Sequence, residues 1–149
     1  MADQTGTAKS AVLALRQLTL GNDFHRRQVA QGLHISVIEL GVMGHLHESG
    51  RLTPRQVGER LGITTGSTTA VLDRIEQAGY IVRTPNPDDR RSLHLSLTAS
   101  GKKAMSWSLK QDETRLRKVL KGYTEEQLAM VSGLLVAMGE VLADPTGRE

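Results

Sequence analysis

A chain of 149 residues is one domain's worth of sequence and long enough to bury a real core. Its net charge of +3 and pI near 9.5 favour an anionic partner, but the balance is too mild for a basic tail, so binding rests on where individual charges are placed. The lack of cysteine excludes disulfides, thiolate metal sites and a thiol redox switch. Aromatic residues are confined to Phe24, Tyr80, Trp107 and Tyr123, too few to support base stacking along a single strand. The opening Met1-Ala2-Asp3-Gln4-Thr5 is polar and no apolar run approaches membrane-spanning length, so the expectation is a cytoplasmic protein with no membrane partner.

In chain order, Val12, Leu13, Leu15, Leu18, Leu20, Phe24 and Val29 predict a long helix from about Ala8 to Gln31, bent near Gly21-Asn22. Ser36-Val37-Ile38-Glu39 has the form of a capping box and starts a helix with Leu40, Met43 and Leu46 as its core stripe, ending near Glu48 before Gly50. Thr53-Pro54-Arg55-Gln56 opens a short helix to Leu61, with Thr53 as cap, Pro54 at the first position and Gln56 reaching back. Gly58 is small where a second helix must approach, and Val57, Leu61 and Ile63 supply apolar contacts. After a break at Gly62-Ile63-Thr64, the next helix runs from about Thr65 to Ala78 on a buried stripe of Val71, Leu72 and Ile75.

Past Gly79, the segment Tyr80-Ile81-Val82-Arg83 leads through a charged loop into Ser92-Leu93-His94-Leu95-Ser96-Leu97, whose leucines point one way as in a half-buried strand. A long helix then spans about Ala99 to Leu120, with Met105, Leu109, Leu116, Val119 and Leu120 as its apolar positions, and Gly122 breaks it. Thr124-Glu125-Glu126-Gln127 starts the last helix, which carries Leu128, Val131, Leu135, Met138 and Leu142 spaced alternately three and four apart. That spacing wants a helical partner, either the first helix of the same chain or a second copy.

Helix, three-residue turn, helix and a two-stranded ribbon with a basic tip make a winged helix-turn-helix, and the fold class is mainly α. The expected division is a DNA-binding head over residues 36–98 and a helical region over residues 1–35 and 99–149. Thr65-Gly66-Ser67-Thr68-Thr69 is small, hydroxylated and uncharged, a face that can enter a major groove and touch phosphates, base edges and thymine methyls. At least two of Thr65, Ser67, Thr68 and Thr69 are expected to face DNA, while another caps or bonds within the helix. No arginine, asparagine or glutamine occupies the first two turns, so bidentate base readout is absent there and DNA shape must carry much of the specificity. Arg90 and Arg91 at the ribbon tip are candidate DNA contacts, Arg90 to phosphate. Arg74 is either a DNA contact or half of a structural ion pair; Arg83, Arg51 and Arg55 are further candidates for phosphate.

Asn86-Pro87-Asp88-Asp89-Arg90-Arg91, followed by the leucine strand and Leu97-Thr98-Ala99-Ser100-Gly101, resembles the wing signature of MarR-family transcriptional regulators. Leu72-Asp73-Arg74-Ile75-Glu76-Gln77-Ala78-Gly79-Tyr80-Ile81-Val82-Arg83 resembles the same family's exit from its recognition helix, and the flanking helices fall where that family has them. The resemblance implies that Arg91 enters a minor groove and that Asp89 braces the wing through an ion pair. It also implies a homodimer in which first and last helices interlock, placing Leu13, Leu128, Val131, Leu135, Met138 and Leu142 at the interface. Two recognition helices about 34 Å apart would then fit successive major grooves of a palindromic operator on double-stranded DNA. A small anionic or aromatic effector would bind around Arg26, Arg27, His34, Ile38, Val42, Met105 and Leu109, releasing a repressor.

Rival readings are a winged helix used for protein contact alone and a DNA-binding regulator without ligand. An enzyme is disfavoured: there is no phosphate-binding glycine loop after a strand, no serine elbow and no His-Glu-x-x-His. His45 and His47, two apart on a helix, face different ways, and no His-x-x-x-His pair joins them to His25, His34 or His94, so neither metal nor cofactor is expected.

Overall fold

The computed structural model describes residues 4–87, 89 and 91–143. Its elements are α1 (Gln4–Gly32), α2 (Val37–Ser49), α3 (Pro54–Leu61), α4 (Thr65–Gln77), β1 (Ile81–Pro85), β2 (Leu93–Leu97), α5 (Ala99–Leu120) and α6 (Glu125–Ala143). The chain divides into two compact units, Met1–Ser108 and Leu109–Glu149.

Capping chemistry sets most helix starts in the first unit. Ser36 Oγ accepts from Glu39 N–H at 3.2 Å while Ser36 N–H donates to Glu39 Oε2 at 2.8 Å. Thr53 and Gln56 make the same reciprocal pair ahead of α3, where Pro54 takes the first position. Thr64 caps α4 through Ser67 N–H. Helix α1 is continuous through Gly21-Asn22, the place where a bend is expected from the sequence. It ends at Gly32, and His34 turns the chain with a left-handed φ of 57°.

One core joins these elements: Val29 and Ala30 of α1, Leu40, Val42, Met43 and Leu46 of α2, Val57 of α3, Val71, Leu72 and Ile75 of α4, and Ile81, Leu95 and Leu97 of the ribbon. Gly58 lets α3 and α4 close together, because a Cβ there would stand 2.8 Å from Thr68 Oγ1. In the antiparallel ribbon Ile81 faces Leu97 and Pro85 faces Leu93. Leu52 adds a third rung by exchanging backbone hydrogen bonds with Leu95 at 3.2 and 2.8 Å. The leucine stripe is buried only at its base: Leu95 and Leu97 are in the core, whereas Leu93 toward the tip is 41% exposed.

The start of α5 is tied to the end of α4. Thr98 Oγ1 donates to Gly79 O at 2.7 Å and accepts from Gly101 N–H at 3.0 Å, while Thr98 N–H donates to Tyr80 O. Gly101 sits so close to Tyr80 that a Cβ would lie 2.1 Å from its carbonyl oxygen.

In the second unit Thr124 and Gln127 form the third capping box. Helix α6 buries none of its residues, and Met130, Val131, Leu134, Leu135, Val136, Val141 and Leu142 are all exposed. Contrary to the expectation from sequence, Glu125–Ala143 is long and apolar enough to cross a membrane by length and composition.

Candidate nucleic-acid interface

The recognition helix and the wing face each other across a cleft of about 960 Å³, lined among others by Thr53, Arg55, Thr65, Thr69, Asn86 and Arg91. Helical spacing decides which hydroxyls of α4 point outward. Thr68 shares a face with Val71, Leu72 and Ile75; it is 3% exposed and its hydroxyl donates to Thr64 O at 2.9 Å. Thr68 is therefore the helix's inward hydroxyl, almost covered at the floor of the cleft that it helps to line. Thr65, Gly66, Ser67 and Thr69 are exposed, joined by Ala70, which lies outside the stretch expected from sequence. Thr69 Oγ1 donates to Thr65 O at 3.1 Å, and Ser67 Oγ accepts from the Thr64 hydroxyl at 3.0 Å.

Hydrogen bonds shape the wing. Asn86, 9% exposed, donates through Nδ2 to Ser92 Oγ at 2.8 Å and through its backbone to Ser92 O. Asp89 Oδ1 accepts from Arg91 N–H at 2.9 Å, and Asp89 O accepts from Ser92 N–H at 3.0 Å. The brace expected of Asp89 is thus a side-chain-to-backbone turn, and no ion pair of Asp89 appears among the described residues. Arg91 is exposed on the cleft, whereas Arg90 lies outside the described residues. Asn86, in the sequence only the first residue of the wing signature, is the side chain that ties the two strands together at the base of the wing loop.

Two arginines expected to touch DNA have partners within the chain. Arg74 Nε stands 2.6 Å from Glu39 Oε1 of α2, and Arg83 lies 2.6 Å from Asp73 and 3.1 Å from Glu76 of α4. The ion-pair alternative for Arg74 is the arrangement observed, and Arg83 fastens β1 to the recognition helix. Burial alone would raise the Glu39 pKa. The Ser36 N–H bond, followed by the hydrogen bond and charge of Arg74, outweighs this and holds the carboxyl below its ordinary value of 4.5. Arg55 is exposed and pairs with Glu59 at 2.8 Å.

The residues assigned to an effector separate. Val42 (0%) and Met105 (7%) are buried in the core. Arg26 and Arg27 lie within α1, His34 in the turn that follows it and Ile38 in the first turn of α2; Arg27 Nε donates back to Asp23 O, Ile38 is 48% exposed, and the Arg26 guanidinium lies against Gly41. Leu109 belongs to the second unit. Of the interface candidates, Leu13, Val131, Leu135 and Leu142 are exposed, while Leu128 and Met138 are half-buried. Among the described residues no group of three or more His, Asp or Glu could hold a metal ion.

Helices α3 and α4 followed by a two-stranded wing define a winged helix-turn-helix fold. The MarR family profile matches residues 31–92. The chain is 28% identical over 140 residues to the uncharacterized HTH-type transcriptional regulator YcgE of Bacillus subtilis (strain 168), spanning 94% of this chain and 91% of YcgE. It is 27% identical over 106 residues to the HTH-type transcriptional repressor MdtR of the same organism, covering 71% of this chain and 68% of MdtR. The crystal structure of NadR in complex with 4-hydroxyphenylacetate superposes with a TM-score of 0.70 at 23% identity, over 87% of this chain and 92% of NadR. The chain thus resembles MarR-family transcriptional regulators, over residues 31–92 in the family profile and over most of its length in YcgE.

Proposed function

We propose that the protein is a homodimeric, cytoplasmic repressor that binds a palindromic operator and is released by a small anionic or aromatic molecule. The observation that carries the DNA-binding geometry is the cleft between α4 and the wing, with Thr65 and Thr69 on one wall and Arg91 on the other, and Ser67 exposed beside it. The small exposed residues of α4 suit a major groove, and Arg91, exposed on the wing side of the cleft, is assigned to the adjacent minor groove. Arg90 is assigned to a phosphate. Residues 36–98 act as the reading head, and residues 1–35 with 99–149 fix the spacing between two heads.

Dimerisation is supported by the uncovered apolar surface of α6, which a monomer in water would leave wet. A membrane would cover it too, but Glu125, Glu126 and Glu140 on the same helix suit a protein partner better. Repression is supported by the relative MdtR, named a repressor, and an aromatic acid as effector by the fold neighbour NadR, crystallised with 4-hydroxyphenylacetate. The effector would act around Arg26, Arg27, His34 and Ile38, its strength set by its differential affinity for the free and DNA-bound dimers.

The test is binding of the purified protein to the intergenic DNA beside its own gene across a salt series. Tight, saturable binding that falls steeply with salt supports the reading. Weak, sequence-blind binding, equal in Arg91→Ala, favours a winged helix used for protein contact.

A further inference from the structure

We propose that Glu39 is a positioning residue of the DNA-binding head, fixing recognition helix α4 through Arg74; this rests on the DNA-binding reading above. The chain contains its own comparison. Three helices begin with a capping box, and in two of them the reaching residue is a glutamine: Gln56 Oε1 accepts from Thr53 N–H at 2.8 Å and Gln127 Oε1 from Thr124 N–H at 2.9 Å. A neutral amide therefore suffices for the cap. Both glutamines are exposed, whereas Glu39 is 5% exposed, where a charge costs most.

The capping role does not account for a buried carboxylate; Arg74 does. Glu39 spends Oε2 on Ser36 N–H and Oε1 on Arg74 Nε at 2.6 Å, so one side chain closes the N-terminus of α2 and grips α4 across 35 residues of sequence. The Arg74 side chain is 56% exposed and that of Glu39 7%, so the anchor is the buried member.

The position of Arg74 on its helix gives the contact its purpose. At about 100° per residue, Arg74 and Glu76 lie about 160° apart around α4. Glu76 and Asp73 are held by Arg83 of β1, and Arg74 is held by Glu39 of α2. The helix is clasped on opposite flanks, which fixes its rotation about its own axis and hence the direction of Thr65, Thr69 and Ala70. Tyr80, just past the helix, adds a tether to the same α1–α2 segment by donating its hydroxyl to Leu33 O at 3.3 Å.

The experiment uses a duplex enriched by the wild-type protein from a random library, and a scrambled duplex, with affinities read by fluorescence anisotropy across a salt series. Glu39→Gln keeps the cap and removes the charge. It is expected to retain helicity and a cooperative melt, to lose roughly 2- to 30-fold affinity for the enriched duplex, and to bind the scrambled duplex unchanged with the same salt slope. Glu39→Gln/Arg74→Gln, which leaves no unpaired charge, should lose no more than Glu39→Gln alone. Enriched-duplex affinity at the wild-type level in Glu39→Gln would overturn the proposal. So would an equal loss on both duplexes with a lowered melting temperature, which marks a stability role only. A salt slope reduced by about one in Arg74→Gln but not in Glu39→Gln would make Arg74 a phosphate contact and overturn it as well. If the wild-type protein enriches no duplex, the DNA-binding reading itself fails, a result separate from these three.

Discussion

Leu135→Asp tests the proposed role of α6. Fully burying a leucine is worth about 1.5–3 kcal/mol. Leu135 is 42% exposed in the single chain, so covering the remainder in a dimer adds about 0.6–1.3 kcal/mol per copy. An aspartate there forfeits that gain and places an unpaired carboxylate in the seam, at about 3–5 kcal/mol when fully enclosed. A two-fold interface counts every change twice. Even if relaxation and water entry recover half of the total, dimerisation weakens by roughly 4–6 kcal/mol, or about three to four decades in dissociation constant. The monomer is affected far less, because position 135 already meets solvent there. Sedimentation velocity at micromolar concentration should show a dimer for the wild type and a folded monomer for the variant, with helicity checked by circular dichroism. A variant that remains dimeric with the wild-type dissociation constant would refute the placement of the interface. A wild-type protein that sediments as a well-behaved monomer without detergent would refute the argument that α6 needs a cover.

Arg91→Ala should weaken operator binding by about 1–3 kcal/mol if the side chain makes a specific groove contact, and unchanged affinity in anisotropy would remove the wing from the interface. Gly101→Ala forces a methyl to within 2.1 Å of Tyr80 O, a backbone atom that cannot swing aside, so chemical denaturation should show a loss of about 1–3 kcal/mol; an unchanged midpoint would mean the α4–α5 junction is loose. Because Glu39 has a depressed pKa in the folded chain, its contribution to stability is present above its ordinary pKa of 4.5 and is lost as pH falls through the lower folded value. Stability of Glu39→Gln should accordingly fall less steeply than wild type below about pH 4.5; parallel acid curves would show that Arg74 and Ser36 do not stabilise the ionised form.

What the sequence disclosed was mostly local. The boxes at Ser36, Thr53 and Thr124 need only a hydroxyl and a carboxylate or amide three residues apart, and Gly58 announces a close approach by its size. Thr68 was legible but overlooked: it lies three, four and seven residues before Val71, Leu72 and Ile75, so the buried stripe extends through it. The partners of Arg74 and Arg83 carried no such signal, because pairing Glu39 with Arg74 or β1 with α4 is a product of tertiary packing. Leu52 bridging Leu95 has the same origin. Val42 and Met105 drew attention by position in the family, yet side chains at 0% and 7% exposure belong to the core that a pocket would have to open.

With Arg74 and Arg83 engaged inside the head, the proposed interface keeps Arg91 as its one described cation on the cleft without a carboxylate partner at its side chain, since Arg55 is shared with Glu59. The exposed surface of α4 offers hydroxyls and methyls at Thr65, Ser67, Thr69 and Ala70, which discriminate bases more weakly than a bidentate arginine or glutamine. Such a helix reads sequence well only if it is presented at one fixed angle, because short side chains cannot reach across an error in placement. That requirement is why the charges flanking α4 are used on its own scaffold, Glu39 on one side and Arg83 on the other, when more phosphate contacts would have raised affinity without regard to sequence. On the proposed reading, specificity comes from the fit of a rigid head to DNA shape, with Arg91 assigned to the minor groove. An operator whose A·T base pairs under the wing are replaced by G·C should therefore lose more affinity in the wild-type protein than in Arg91→Ala, and equal losses in the two would return the burden of discrimination to α4.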